Sequence, residues 1–584
     1  MLQKFIEYGE RHGIRGEQGF SSKRVRWLLN FSTTGEYLGL VEQTEPGAKP
    51  GVGREFFNVP HLKFSGDTPM RQFLVDTAQY ALLYEEAADN KKIIAKHKFF
   101  LERLHDAGNA DPFLAKVANA LADQRVRENI CRDLYKQTPK AKTSDNVTFA
   151  EISGTKSRVI VNEDTWHTWW RFYYPTLFKE RESANPMRCL VSGQMCDPAQ
   201  THPKIKGIGR DVGGKEETTL IGYNLDAFCS YGLKQSSNAA IKPELTEQYA
   251  ATLNELIARH SYRLTGTKVV HWYAGNDEVP NELDPLYWLW KEADEESVEL
   301  VAQSKAQSLL DSIRSGGRSD ILNYRYYSMT LSGSSARVMV RDWIDGQFGE
   351  LVTNIDAWFN DLAIVRREGD RLVRRPKFLA VLGGLVRELK DVTSPIETKM
   401  WRVAVCNEPI PDFVMAKALA RTKIDIVQDK PMNHARMGLL KAYHKRKGDQ
   451  DMQPYLNEDH PNPAYHCGRL MAVYADLQHA ALGDVGAGVV QRFYAAASAT
   501  PALILGRLSR GGQFHLNKLD GGLAFWYQQR LSAIWGKIKD AIPKTLTLEE
   551  QSLFALGYYQ QIAAPKKSEK DQSTEVKESK GEKS

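Results

Sequence analysis

Leu470-Met471-Ala472-Val473-Tyr474-Ala475-Asp476-Leu477-Gln478-His479-Ala480-Ala481 sets Leu470, Met471, Tyr474, Leu477 and Ala481 on one face of a helix. Apolar residues recurring three and four apart share a side at about 3.6 residues per turn, whereas a strand would scatter them over both faces. The helical reading extends from about residue 435 onward. Thr500-Pro501 puts a cap residue ahead of a first-turn proline, and Thr547-Leu548-Glu549-Glu550 has the form of a capping box. Residues 436–565 are therefore expected to form a C-terminal helical bundle. Residues 566–584 carry one aliphatic residue, Val576, among Lys, Glu, Ser, Thr, Gln, Asp and Gly. Such a segment cannot bury enough apolar surface to offset its ordering entropy, so a disordered charged tail is expected.

Before residue 435 the texture differs. Short apolar segments at 25–31, 37–41 and 55–59, broken by Gly, Pro and Thr, read as strands and turns. From residue 67, Phe73, Ala81, Leu82, Phe99, Phe100 and Leu104 recur at helical spacing and predict a helical insert to about residue 135, with Lys91, Lys92, Lys96 and Lys98 on its polar faces. Between 158 and 228 short segments separated by Gly and Pro return, with long loops. Residues 324–331 and 336–342 flank Ser332-Gly333-Ser334-Ser335, and Val338 and Val340 alternate with Arg337, Met339 and Arg341, which predicts a β-hairpin. The fold class is α+β, with residues 1–435 a large mixed body of short sheets and a helical insert.

The chain has 584 residues, 42% hydrophobic and 26% charged, so most of it should fold, into several domains at about 150 residues each. Its net charge of +6 would assist a polyanionic partner through counterion release without demonstrating one. Six cysteines (Cys131, Cys189, Cys196, Cys229, Cys406, Cys467) have no repeated spacing and favour reduced thiols. No apolar run approaches the roughly 20 residues needed to cross a bilayer, and residues 1–16 mix Lys, Glu, Arg and His with apolar residues, unlike a secretory signal. A cytoplasmic protein is expected.

Several local patterns imitate catalytic chemistry. Gly209-Arg210-Asp211-Val212-Gly213-Gly214-Lys215-Glu216 has the glycine and lysine positions of a phosphate-binding loop, but Glu216 stands where a Ser or Thr hydroxyl must hold magnesium. Cys189, Cys196, His202 and Cys229 lack the short intervals of a structural zinc site, and His460, His466 and Cys467 form a similarly loose group. His105-Asp106 is a nuclease-like dipeptide without further ligands. Trp166, Trp169 and Trp170 are expected in a core rather than stacked on bases. No catalytic residue, metal or cofactor is expected. The alternatives are a nucleic-acid-processing enzyme using the Gly209 loop or the Cys/His group, and a purely structural scaffold.

Motifs spread along the chain carry a family resemblance. They include Lys63-Phe64-Ser65-Gly66 with Phe73-Leu74-Val75-Asp76-Thr77-Ala78-Gln79-Tyr80, and Cys189-Leu190-Val191-Ser192-Gly193 followed by His202-Pro203-Lys204-Ile205-Lys206-Gly207. Asn224-Leu225-Asp226-Ala227-Phe228-Cys229-Ser230-Tyr231-Gly232, Ala495-Ala496-Ala497-Ser498-Ala499-Thr500-Pro501-Ala502 and the 548–559 segment complete the set. Together they resemble the large subunit of the type I-C CRISPR Cascade surveillance complex. That resemblance implies a non-catalytic protein that recognises a short flanking motif, the PAM, on duplex DNA and promotes strand opening for crRNA pairing and R-loop formation. It implies crRNA-containing Cascade with backbone and crRNA-processing subunits as partners, and a recruited helicase-nuclease.

On this reading the candidate flank-reading residues are Lys204, Lys206, Gly207, Lys234, Gln235, Ser236 and Asn238, with Lys63, Ser65 and Gly66 a second loop. Lysines hold phosphates, glycine permits close backbone approach and amides reach base edges. Arg366, Arg367, Arg371, Arg374, Arg375 and Lys377 form the densest basic stretch, a candidate track for the DNA backbone. The resemblance further implies a small subunit made by internal translation. Lys447-Gly448-Asp449 can be encoded as AAA GGA GAT, containing a ribosome-binding AAGGAG, ahead of Met452, with Met437 and Met471 as alternatives. In that product Arg492, Arg507, Arg510, Lys518, Arg530, Lys537 and Lys539 are the candidate backbone contacts.

Overall fold

Trp27, Leu28, Leu29 and Phe31 are all buried, a continuous apolar run rather than an alternation, which marks a strand covered on both faces. The computed structural model describes residues 1–564 except 15, 46–50, 63–69, 86–89, 178–185, 210–211, 276–283, 291–310, 312–323, 370, 374–375 and 486–487. In it Trp27–Ser32 pairs antiparallel with Tyr37–Glu42 and parallel with Asn146–Ser153. A parallel pair needs a long crossover, and the helical insert supplies it as helices Lys91–Asp106, Pro112–Ala122 and Gln124–Tyr135. Beneath them Phe73, Phe100, Phe149, Trp166 and Trp170 are fully buried, so two of the three clustered tryptophans are core. Arg26, 4% exposed, is met by Glu42 and Asp145, each at 2.8 Å.

The chain divides into two compact units. One comprises Met1–Lys204 and Ile221–Leu253, the other Ile205–Leu220 and Asn254–Ser584. The boundary expected after residue 435 falls inside the second unit, within helix His434–Arg446. The tail 566–584 lies outside the described residues.

Apart from Lys204 at the start of its edge strand, the second unit holds a five-stranded sheet in the order Lys204–Lys206, Gly214–Thr219, Arg325–Gln347, Lys268–Ala274, Ser261–Arg263. Arg325–Gln347 doubles back as a hairpin. Straight, it would separate residues 325 and 345 by about 66 Å, yet Arg325 Nε donates to Asp345 Oδ1 at 3.0 Å and Tyr327 stacks on Trp343 at 5.7 Å. Ser335, with φ +53°, sits at the tip. Glu397 is fully buried, and among the described residues no cation is paired with it. Its carboxylate accepts from the backbone N–H groups of Thr265 (2.7 Å) and Gly266 (3.1 Å) and from the Thr267 hydroxyl (2.8 Å), so that the helix Ser394–Val405 is fastened to a strand turn.

The expected helical bundle is present. Helices Pro463–Leu482 and Leu548–Ala563 are packed at its centre, with Val489–Ala499, Pro501–Leu516 and Gly521–Ile538 around them. The central pair touches backbone to backbone. A Cβ at Gly468 would lie 2.0 Å from Phe554 O, and one at Gly557 2.0 Å from Tyr465 O. Thr547 and Glu550 form the capping box, each side chain accepting from the other's backbone N–H. Leu470, Met471, Tyr474 and Leu477 are buried along the predicted face.

A chain of buried polar groups joins helix 434–446 to the later helices. His444 bonds the Ser552 hydroxyl at 2.5 Å, His460 approaches Asp449 at 3.3 Å, and His466 Nε2 bonds His460 O at 2.7 Å. Arg469 meets His466 at 3.2 Å and donates to Gln561 Oε1 at 3.0 Å.

Candidate nucleic-acid interface

Residues 230–238 of the first unit form a loop whose shape is set by one side chain. Asn238 Oδ1 accepts from Ser230 N at 2.8 Å, and its Nδ2 donates to Leu233 O at 3.1 Å and Gln235 O at 2.9 Å. Three successive bonds to one amide hold a backbone that is locally unfavourable. Tyr231 (φ +53°) and Gln235 (φ +47°) both adopt the left-handed region, which costs a side-chain-bearing residue about 1–2 kcal/mol. At the tip Tyr231 is 100% exposed. Lys234 and Gln235 are exposed beside it, while Ser236 is buried.

The loop thus brings together four of the sequence-selected residues and divides their labour. Lys234 and Gln235 face solvent and can reach a phosphate or a base edge. Asn238 is engaged in holding the loop, and Ser236 lies beneath it. Tyr231 was not among the selected residues. Its signal in the sequence was the Tyr231-Gly232 pair, a turn with a large aromatic at its crest.

Lys204 is exposed and Lys206 half-buried on their strand, with Ile205 buried between them. Lys206 N donates to Asn254 Oδ1 at 2.8 Å. Gly207 has φ +75°, and its carbonyl accepts from Lys268 Nζ at 2.8 Å. Lys63, Ser65 and Gly66 lie outside the described residues.

In the second unit the basic stretch is a small hairpin, Ile364–Val365 against Leu372–Val373. Arg367 and Arg371 are exposed and Arg366 half-buried, with Arg366 Nε 3.6 Å from Glu368. Lys377 precedes helix Phe378–Gly383 and is half-buried. Arg374 and Arg375 lie outside the described residues. Farther on, Arg492, Arg507, Arg510, Lys518 and Lys539 are exposed. Arg507 and Arg510 share a helix face with the exposed Leu503 and Phe514. Lys537 is bonded to Asp459 at 2.5 Å, and the Arg530 guanidinium lies 4.9 Å over the Trp526 ring. Met452 is buried.

The imitation catalytic motifs resolve differently. Gly214–Thr219 is a strand, paired in parallel with residues 335–337, whereas a phosphate-binding loop needs its lysine at the opening of a helix. Cys196 follows Met195 on the strand opposite Met187–Arg188, beside Cys189. Burial raises the Cys189 thiol, but hydrogen bonds from Ser192 and the neighbouring backbone outweigh it and bring it to about 7. His202 Nδ1 bonds the Tyr249 hydroxyl at 2.8 Å. Asp106 accepts from the Tyr173 hydroxyl at 2.8 Å and pairs with Arg103 at 3.1 Å. Among the described residues no three His, Cys, Asp or Glu side chains converge as a metal site, and no helix is long and apolar enough to cross a membrane.

Residues 6–565 match the family model described as CRISPR-associated protein (Cas_Csd1). The chain belongs to this Cas_Csd1 family of CRISPR-associated proteins. No curated protein matches the sequence. Membership of a CRISPR-associated family suggests a CRISPR effector complex as the protein's context.

Proposed function

We propose that this CRISPR-associated protein is the large subunit of a type I-C Cascade, cytoplasmic and non-catalytic, which recognises the PAM on duplex DNA. On this reading it promotes strand opening and R-loop formation and recruits a separate helicase-nuclease. The observation that carries the reading is the 230–238 loop, a surface element held in an unfavourable backbone by the Asn238 amide and presenting Tyr231, Lys234 and Gln235 to solvent. Backbone strain retained on a surface loop is expected where a binding geometry is prepared in advance. A short flank needs only a few such contacts, because crRNA pairing reads the rest of the target.

The same reading includes a small subunit translated from Met452. Its helices 463–482, 489–499, 501–516, 521–538 and 548–563 pack on one another, which supports an independent fold. The separate product would present to solvent or to a partner the groups that in the full chain meet earlier residues, among them Ser552 opposite His444 and Gln551 opposite Lys423. Silent changes that disrupt AAGGAG should remove the short product. Its persistence would reject Met452 as the start.

The deciding experiment measures target binding by crRNA-containing complexes assembled with and without this chain, on duplexes that differ only in the flanking bases. Flank-dependent binding conferred by the chain supports the large-subunit reading. Identical binding without it refutes PAM recognition and favours a scaffold.

A further inference from the structure

We propose that a cleft in the second unit, lined by Trp526, Tyr455, Arg530 and Gln560, receives an unpaired base of single-stranded nucleic acid. The inference rests on the nucleic-acid reading above but concerns a different place from the flank-reading loop. The cleft has a volume of about 650 Å³, within the roughly 300–1,000 Å³ typical of small-ligand sites. Its composition suits a base. Trp526, Gln529, Arg530 and Ala533, at positions i, i+3, i+4 and i+7 of helix 521–538, line one side, with the small Ala533 leaving room beside the large ring. Tyr455, half exposed, contributes a second aromatic.

Arg530 already lies 4.9 Å over the Trp526 ring, so a flat cation and a flat aromatic are fixed relative to each other before any ligand arrives. Gln560, 1% exposed, belongs to the floor of the cleft. The Tyr465 hydroxyl donates to its Oε1 at 2.6 Å and its Nε2 donates to Gln453 O at 2.7 Å, which holds the amide plane in one orientation. Glu458, the acidic residue of the lining, is paired with Arg469 at 3.2 Å.

A strand is favoured as the occupant because the cleft shares a wall with the basic hairpin. Val365 and Gly369 belong both to the cleft wall and to the hairpin that carries Arg366, Arg367 and Arg371. Gly369 (φ +75°) is pressed so closely to the end of helix 548–563 that a Cβ there would lie 2.3 Å from Ala563 O. The hairpin that carries the arginines is therefore held against one wall of the cleft, although the arginines themselves lie outside its lining and Arg367 lines a separate cavity with Tyr558 and Tyr559. Phosphates along the hairpin with a base turned into the cleft satisfy both chemistries, in the arrangement that single-strand binders use.

The test uses the full chain assembled in its crRNA-containing complex, with single-stranded oligonucleotides carrying one 2-aminopurine or, in its place, one abasic site. Wild type should quench the 2-aminopurine and bind the intact strand about tenfold tighter than the abasic one. Trp526→Ala should lose the quench and the tenfold preference, and Trp526→Phe should keep most of both. Equal binding of intact and abasic strands by wild type, or an unchanged quench in Trp526→Ala, overturns the proposal. The abasic comparison needs no substitution, so misfolding of a variant cannot rescue the idea. The two readings separate cleanly. Flank-dependent duplex binding without base-dependent strand binding refutes the cleft alone, and the converse refutes only PAM recognition.

Discussion

Lowering the pH from 7.5 to 5.0 should loosen the central helices of the second unit through their buried histidines. His444 and His466 are 3% and 1% exposed, and burial first of all pushes each down to about 4. Around His444, Asp449 opposes the shift while His460 and Lys447 add to it. Around His466 the His460 carbonyl opposes it, while Arg469, His460 and Lys537 add to it. An unfolded histidine titrates near 6.5, so between 6.5 and 4 the unfolded chain binds protons that the folded chain refuses. The stability these groups contribute is therefore complete above about 6.5 and is lost as pH falls toward 4. At pH 5.0 the loss is about 2 kcal/mol for each, or about 4 kcal/mol for both, and His460, also lowered by burial, adds in the same direction. Hydrogen exchange of helices 463–482 and 548–563, corrected for the intrinsic pH dependence of the amide rate, reads this directly. A His444→Gln/His466→Gln double variant should be less stable at pH 7.5 yet show a much shallower fall to pH 5.0. Equal slopes in wild type and double variant would refute the reasoning.

Three further outcomes are expected. Gly468→Ala or Gly557→Ala should destabilise the second unit by about 2–3 kcal/mol, because the added methyl meets a backbone carbonyl at 2.0 Å; a thermal melt showing the gain of up to about 1 kcal/mol expected of alanine in an open helix would contradict the close crossing. Glu397→Ala should cost about 3 kcal/mol or more, since the Thr265 and Gly266 N–H groups lose their acceptor in a buried turn, and a urea midpoint within error of wild type would show that the cradle contributes nothing. Asn238→Ala should leave the melting temperature nearly unchanged while reducing flank discrimination by about tenfold, or about 1.4 kcal/mol, and Asn238→Asp, which accepts from Ser230 N but cannot donate to Leu233 and Gln235, should not restore it. Titrating permissive and non-permissive duplexes against each variant complex measures that ratio.

What the sequence determined by itself was whatever is decided within a few residues of chain. The Thr547–Glu550 capping box, the apolar face of helix 463–482, the hairpin at 324–342 and the helical insert each depend on short-range periodicity or turn chemistry, and each is present. Trp166 and Trp170 were legible as core because burying such large rings outweighs most alternatives, while Trp169 of the same cluster is only partly buried. Family membership was legible for a different reason, since its motifs are strings of residues and require no coordinates. Tertiary structure decided the rest, wherever a residue's role depends on a partner far along the chain. Glycines 468 and 557 are ordinary helix residues until two helices separated by 65 residues cross at them. Gly214-Lys215 resembles a phosphate loop until the segment pairs with residues 335–337 as a strand. Asn238 reads equally well as a base reader or a loop support until its three bonds are seen. The cleft draws on Val365, Tyr455, Trp526 and Gln560, four segments whose approach is set by packing of the whole unit and by no local propensity of their own.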